Sequence, residues 1–155
     1  MSKFEHLATR YDTRGRKAKF VLPIRGAKDP ETGKHLPAAL ILKHAGETNA
    51  GYNNAQNKHN AKTGLGRKAL HGRGNDIALE RDLDLYPKHV IVGWENIPDT
   101  DWKAIPYTPE DCADFVQNGL QTWIFNEVRM FAIQAENFLA DDEPTSDEID
   151  ETAGN

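Results

Sequence analysis

Five apolar residues, Leu79, Leu83, Tyr86, Val90 and Trp94, recur at intervals of 4, 3, 4 and 4, the spacing that lines one face of an α-helix. No other stretch is as periodic, and a chain that contains it must supply something for that face to cover. The spacing predicts an amphipathic helix ending at Trp94, opened by Asn75 as a cap and by Asp76 in the first turn, where a negative side chain suits the helix dipole. Arg81, Asp82 and Lys88 fall off this stripe. Pro87 removes one backbone donor and crowds the preceding turn, so a kink or a break into two helices is expected there.

Beyond Trp94, a loop from Glu95 to Tyr107 carries Pro98 and Pro106. Thr108-Pro109-Glu110-Asp111 then combines a capping hydroxyl, a proline at the first helical position and an acidic residue three after the cap. The helix it opens holds Cys112, Phe115 and Val116 and ends near Gly119. A last helix is expected from about Leu120 to Ala140. One of its faces holds Leu120, Ile124, Phe131, Ala135 and Phe138, an adjacent one Phe125, Val128, Ala132 and Leu139, and a third Trp123, Met130 and Ile133. That is more apolar circumference than one small core covers. Either the other helices surround it, or part of the surface is held for another chain.

Upstream, residues 1–18 read as a loosely ordered basic arm with few apolar anchors. Phe20 to Ile24 and Ala39 to Leu42 read as two short strands of a hairpin, the first at a sheet edge because Pro23 cannot donate to a ladder. Two strands alone are marginal and need helices to lie against. From Gly46 the residue types Glu47, Thr48 and Asn49 announce a polar helix through Lys62, with Tyr52, Ala55, Gln56 and His59 at helical spacing. Thr63 to Gly74 is a glycine-rich basic loop. It lacks the Gly-Lys-Ser/Thr ending of a phosphate-binding loop and reads as a linker, with Arg67, Lys68 and Arg73 as candidate contacts to phosphate or an acidic partner. Residues 141–155 hold seven acidic side chains and almost nothing apolar, the composition of a disordered tail. The expected architecture is α+β, mainly α: an N-terminal β-hairpin packed on about four helices, as one domain over residues 19–140.

Charge is unevenly spread over the 155 residues. Residues 1–75 carry 15 Lys and Arg against 5 Asp and Glu, whereas residues 76–155 carry 4 against 19. The basic half invites a nucleic-acid reading through Arg10, Arg14, Arg16 and Lys17, but the acidic half repels phosphate, which ranks protein partners above nucleic acid. No window approaches the roughly 20 apolar residues that a membrane helix needs, and the N-terminus lacks an apolar leader, so an intracellular soluble protein is expected. The single cysteine, Cys112, excludes an internal disulfide and reads as a small buried side chain. The six histidines show no ligand spacing, the pairs Asp82/Asp84 and Asp99/Asp101 read as solvated or capping charges, and no nucleophile has a base nearby in sequence. The expectation is a non-enzyme without metal or cofactor.

The order Gly93-Trp94, short acidic loop, Pro106-Tyr107-Thr108-Pro109-Glu110, two C-terminal helices resembles the small tail assembly chaperones of long-tailed bacteriophages, over about Asp76 to Leu139. Where that family usually has glycine after the acidic pair, this chain has Trp102, which points to an indole buried against a neighbour in place of a tight turn. The resemblance implies binding of tail tube protein and tape measure protein in the host cytoplasm during virion morphogenesis, with a homo-oligomer left open. Trp94, Trp102, Trp123, Phe125, Met130 and Phe131 are the candidate anchors, because aromatics and methionine dominate helix-in-groove contacts. The alternatives are a minor structural protein of the virion and a nucleic-acid-binding phage protein.

Overall fold

The computed structural model describes residues 2–63 and 74–139. The glycine-rich loop with Arg67, Lys68 and Arg73, and the acidic stretch 141–155, lie outside the described residues. The chain builds α1 (Glu5–Arg10), β1 (Lys17–Lys28), β2 (His35–Lys43), α2 (Ala50–Thr63), α3 (Gly74–His89) and β3 (Ile91–Glu95). There follow α4 (Pro109–Asp114), a π-helical turn (Phe115–Gly119), α5 (Thr122–Ala132) and a 3₁₀ turn (Ala135–Phe138). This is an α+β fold, with helices laid against a three-stranded antiparallel sheet of order β1-β2-β3.

The expected hairpin is present, and its strands are longer than the apolar runs suggested, 12 and 9 residues. Pairing runs from Lys17↔Lys43 to Val21↔Ala39 and resumes at Arg25↔Pro37. The register shift between Val21 and Arg25 holds Pro23, on an outer strand where a missing donor is tolerated. Ala18, Phe20 and Leu22 alternate with the exposed Lys17, Lys19 and Val21. The inner set meets the helices, Phe20 standing edge-on to Phe131 with ring centroids 5.2 Å apart. Gly26 is fixed by close approach, since a Cβ there would overlap the carbonyl oxygen of Leu36. In the segment before β1, no α1 residue is buried, while Thr13 is sealed and its hydroxyl contacts His44 Nδ1 (2.8 Å) and Thr48 Oγ1 (2.6 Å).

The helix expected to reach Trp94 stops at His89, and Ile91–Glu95 is a strand. Val90-Ile91-Val92 is a β-branched run with strand preference, and a free β2 edge is there to receive it. Lys43 N donates to Val90 O (2.8 Å), and Leu40 pairs with Trp94. Val90 and Trp94 suited both periods, which is why spacing alone misassigned them. Pro87 sits in the last turn of α3, so its missing donor falls close to the helix end.

Trp102 also corrects its expectation. The tight turn forms without glycine: Trp102 adopts φ 64°, its N–H reaches Asp99 O (3.1 Å), and Asp99 Oδ1 accepts from the N–H groups of Asp101 and Lys103. The indole leans edge-on against His35 at 4.8 Å and stays 37% exposed. The α4 cap is as read, with Thr108 Oγ1 accepting from Asp111 N at 3.0 Å and Pro109 opening the helix. The last helix is shorter than expected. It ends at Ala132, whose carbonyl accepts from Ala45 N (2.8 Å), and Gln134 is extended before the 3₁₀ turn. The core joins both layers: Leu40, Leu42, Tyr86, Val90, Ile91, Cys112, Val116, Phe125 and Val128 are fully buried.

Candidate partner-binding face

α5 divides its apolar residues between two sides. Ile124, Phe125, Val128 and Ala132, at intervals of 1, 3 and 4, enter the core. Trp123 and Met130 lie two turns apart on the outside, about 10 Å along the axis, and are 56% and 61% exposed; Ile133, just past the helix end, is 59% exposed. Exposed side chains of this size grouped on one helix are not explained by the fold they belong to.

Met130 and Ile133 also border an open cleft of about 400 Å³ between α2, α3 and α5. On its wall, Asp82 is buried between two guanidinium groups. Arg81 Nε donates to Asp82 Oδ1 at 3.0 Å and Arg129 Nε to Oδ2 at 2.8 Å. The Tyr52 hydroxyl donates to Oδ1 at 2.8 Å, and Arg81 Nη1 also reaches Asn60 Oδ1 at 3.0 Å. Burial, with the Asp82 charge behind it, pushes the Tyr52 phenol above the ordinary tyrosine range, so it stays a neutral donor. Burial opposes the Arg81 charge, but its contacts with Asp82 outweigh that and raise it. Two guanidinium groups share one carboxylate in this group, which leaves the cleft locally positive beside an apolar rim. Such a surface suits a partner that presents apolar side chains together with a carboxylate.

Of the six expected anchors, only Trp123 and Met130 are brought together on the exposed stripe. Phe125 is withdrawn: it is fully buried, edge-on to Tyr86 at 5.4 Å, because its position on α5 faces the sheet and α3. Phe131 is half-buried between Phe20 and Phe138. Trp94 is half-buried and structural, its Nε1 donating to Ile105 O (2.8 Å) while the ring meets Tyr107 and Phe115. Trp102 stands apart on its loop. Arg67, Lys68 and Arg73 fall outside the described residues.

The Asp82 group was missed from sequence. Asp84 is a solvated charge paired with Lys88 at 3.1 Å, as read, but Asp82 is 2% exposed. The signal was its spacing, three after Leu79 and four before Tyr86, which puts it on the apolar face. Among the described residues, no group of three His, Cys, Asp or Glu side chains is placed to hold a metal.

The family model described as YdaY prophage protein matches residues 44–149, about two thirds of the chain. The chain belongs to the YdaY prophage protein family. Its origin is therefore phage. The match begins just after β2 and takes in the Asp82 group and the whole exposed stripe of α5, while β1 and β2 precede it. Neither a curated protein nor a solved structure matches the chain.

Proposed function

We propose that this prophage protein is a tail assembly chaperone, binding tail tube protein, tape measure protein or both in the host cytoplasm and leaving before the virion is complete. The observation that carries the reading is the outward placement of Trp123, Met130 and Ile133 on and beside α5 while the opposite side of that helix fills the core. A helical or extended segment of the client would lie along this stripe, with a carboxylate reaching toward Arg129. Membership in a prophage family and the Gly-Trp, acidic loop, Pro-Tyr-Thr-Pro-Glu order support the assignment.

The test is co-expression with the tail proteins of the same prophage, followed by size exclusion. A stable complex is expected with at least one. Replacing Trp123 and Met130 together by Ala should weaken it by at least about 2 kcal/mol, roughly thirty-fold, with the urea midpoint unchanged because both side chains are mostly outside the core. Independent elution of every tail protein from the native chain would refute the chaperone assignment.

A further inference from the structure

We propose that the basic corner where β1 begins and β2 ends is a docking surface for acidic peptide, and that its resident occupant is this chain's own stretch 141–151. Lys17 and Lys43 are direct register partners in the antiparallel ladder, and both are exposed. Cross-strand partners point to the same face, where like charges oppose each other. Elsewhere on the surface, Lys19 meets Glu95 at 2.8 Å and Lys88 meets Asp84; neither Lys17 nor Lys43 has an ion-pair partner among the described residues. Arg14 lines the same shallow cleft as Lys43, with Asp12 beside it at 3.9 Å, and Lys17 shares a neighbouring hollow with Glu136. Three cations, Lys17, Lys43 and Arg14, thus stand at this corner against two carboxylates, Asp12 and Glu136, a surplus of positive charge.

The chain itself delivers the complement to this place. Phe138 packs on His44, next to Lys43, at 5.3 Å, and Ile133 O accepts from His44 Nε2 at 3.2 Å, so the described residues end at Leu139 beside the corner. The eleven residues from Asp141 to Glu151 carry seven carboxylates and no cation. At no more than about 3.5 Å per residue they start within reach and need span little. Individual exposed pairs are weak, but tethering replaces a bimolecular encounter with a local concentration in the millimolar range. The result is a salt-sensitive mask. An acidic client segment or a nucleic acid must displace it to reach the corner, which would keep the basic half from binding polyanions indiscriminately. This holds whether or not the chaperone assignment does.

Zero-length carbodiimide coupling of the full chain, followed by peptide mapping, tests it. At low salt, Lys17 or Lys43 should join to carboxylates of 141–151 within a monomer. Those links should disappear near 1 M salt, where the screening length is about 3 Å, and in the Lys17→Ala/Lys43→Ala variant. In a full-length chain whose seven tail carboxylates are changed to amides, a synthetic peptide of residues 141–151 should bind at low salt and lose at least ten-fold in affinity on adding the two lysine changes. Links spread evenly over unrelated lysines, links between chains only, or peptide binding indifferent to Lys17 and Lys43 would each overturn the proposal.

Discussion

Trp102 occupies a backbone conformation that its side chain disfavours. A left-handed residue other than glycine costs roughly 1–2 kcal/mol, and here the Asp99-centred turn imposes it while the ring recovers something against His35. Comparing two truncations separates these effects. Trp102→Ala loses the ring and keeps the strain, whereas Trp102→Gly loses the ring and removes it. Glycine is therefore expected to leave the protein about 1 kcal/mol more stable than alanine, read from urea midpoints of the two variants. Equal midpoints would mean that the turn relaxes and the φ of 64° is not maintained in solution.

Elements are tied together here by a charged group as well as by apolar packing. Asp82 on α3 receives Tyr52 from α2, Arg81 from its own helix and Arg129 from α5, so three helices converge on one carboxylate. Removing the acid leaves two guanidinium groups facing each other. Asp82→Asn is expected to cost about 3 kcal/mol, measured by chemical denaturation, and to loosen the packing of α5 on α3. A shift below about 1 kcal/mol would show that water enters the cleft and solvates the arginines. At the same scale, the exposed stripe of α5 and its buried side are one helix read twice. Sequence spacing separated the faces, but it could not tell which of the two aromatic sets faced the sheet.

Across the whole molecule, the buried titratable groups set how the fold responds to alkali. Burial raises Tyr52 and Tyr86 above the ordinary 10.0 and pushes the Cys112 thiol from 9.0 up to about 12, against a lowering contact from Tyr107. Each keeps its proton in the folded chain after the unfolded chain has released it. Their contribution to stability is full below the ordinary values, declines as pH rises above 9 to 10, and is lost as pH passes the folded-state values. The thermal midpoint is expected to hold up to about pH 8 and to fall steadily above that, less steeply in a Cys112→Ala/Tyr52→Phe variant. A flat profile through pH 11 would place these groups in contact with water.

Sequence alone determined what depends on neighbours along the chain. The Thr108 cap with Pro109, the edge position signalled by Pro23, the buried thiol of Cys112 and the surplus apolar circumference after Leu120 were all legible, because each rests on short-range geometry or on simple counts. Tertiary structure decided the rest. Val90 to Trp94 became a strand because β2 offered an open edge, and the energy of that pairing comes from residues some fifty positions away. Asp82 was buried because Tyr52 and Arg129, 30 and 47 residues distant, supply the partners that make a buried charge tolerable. Which of Phe125 and Trp123 entered the core was likewise fixed only when α5 met the sheet and α3, since a helix has no inside until something packs against it.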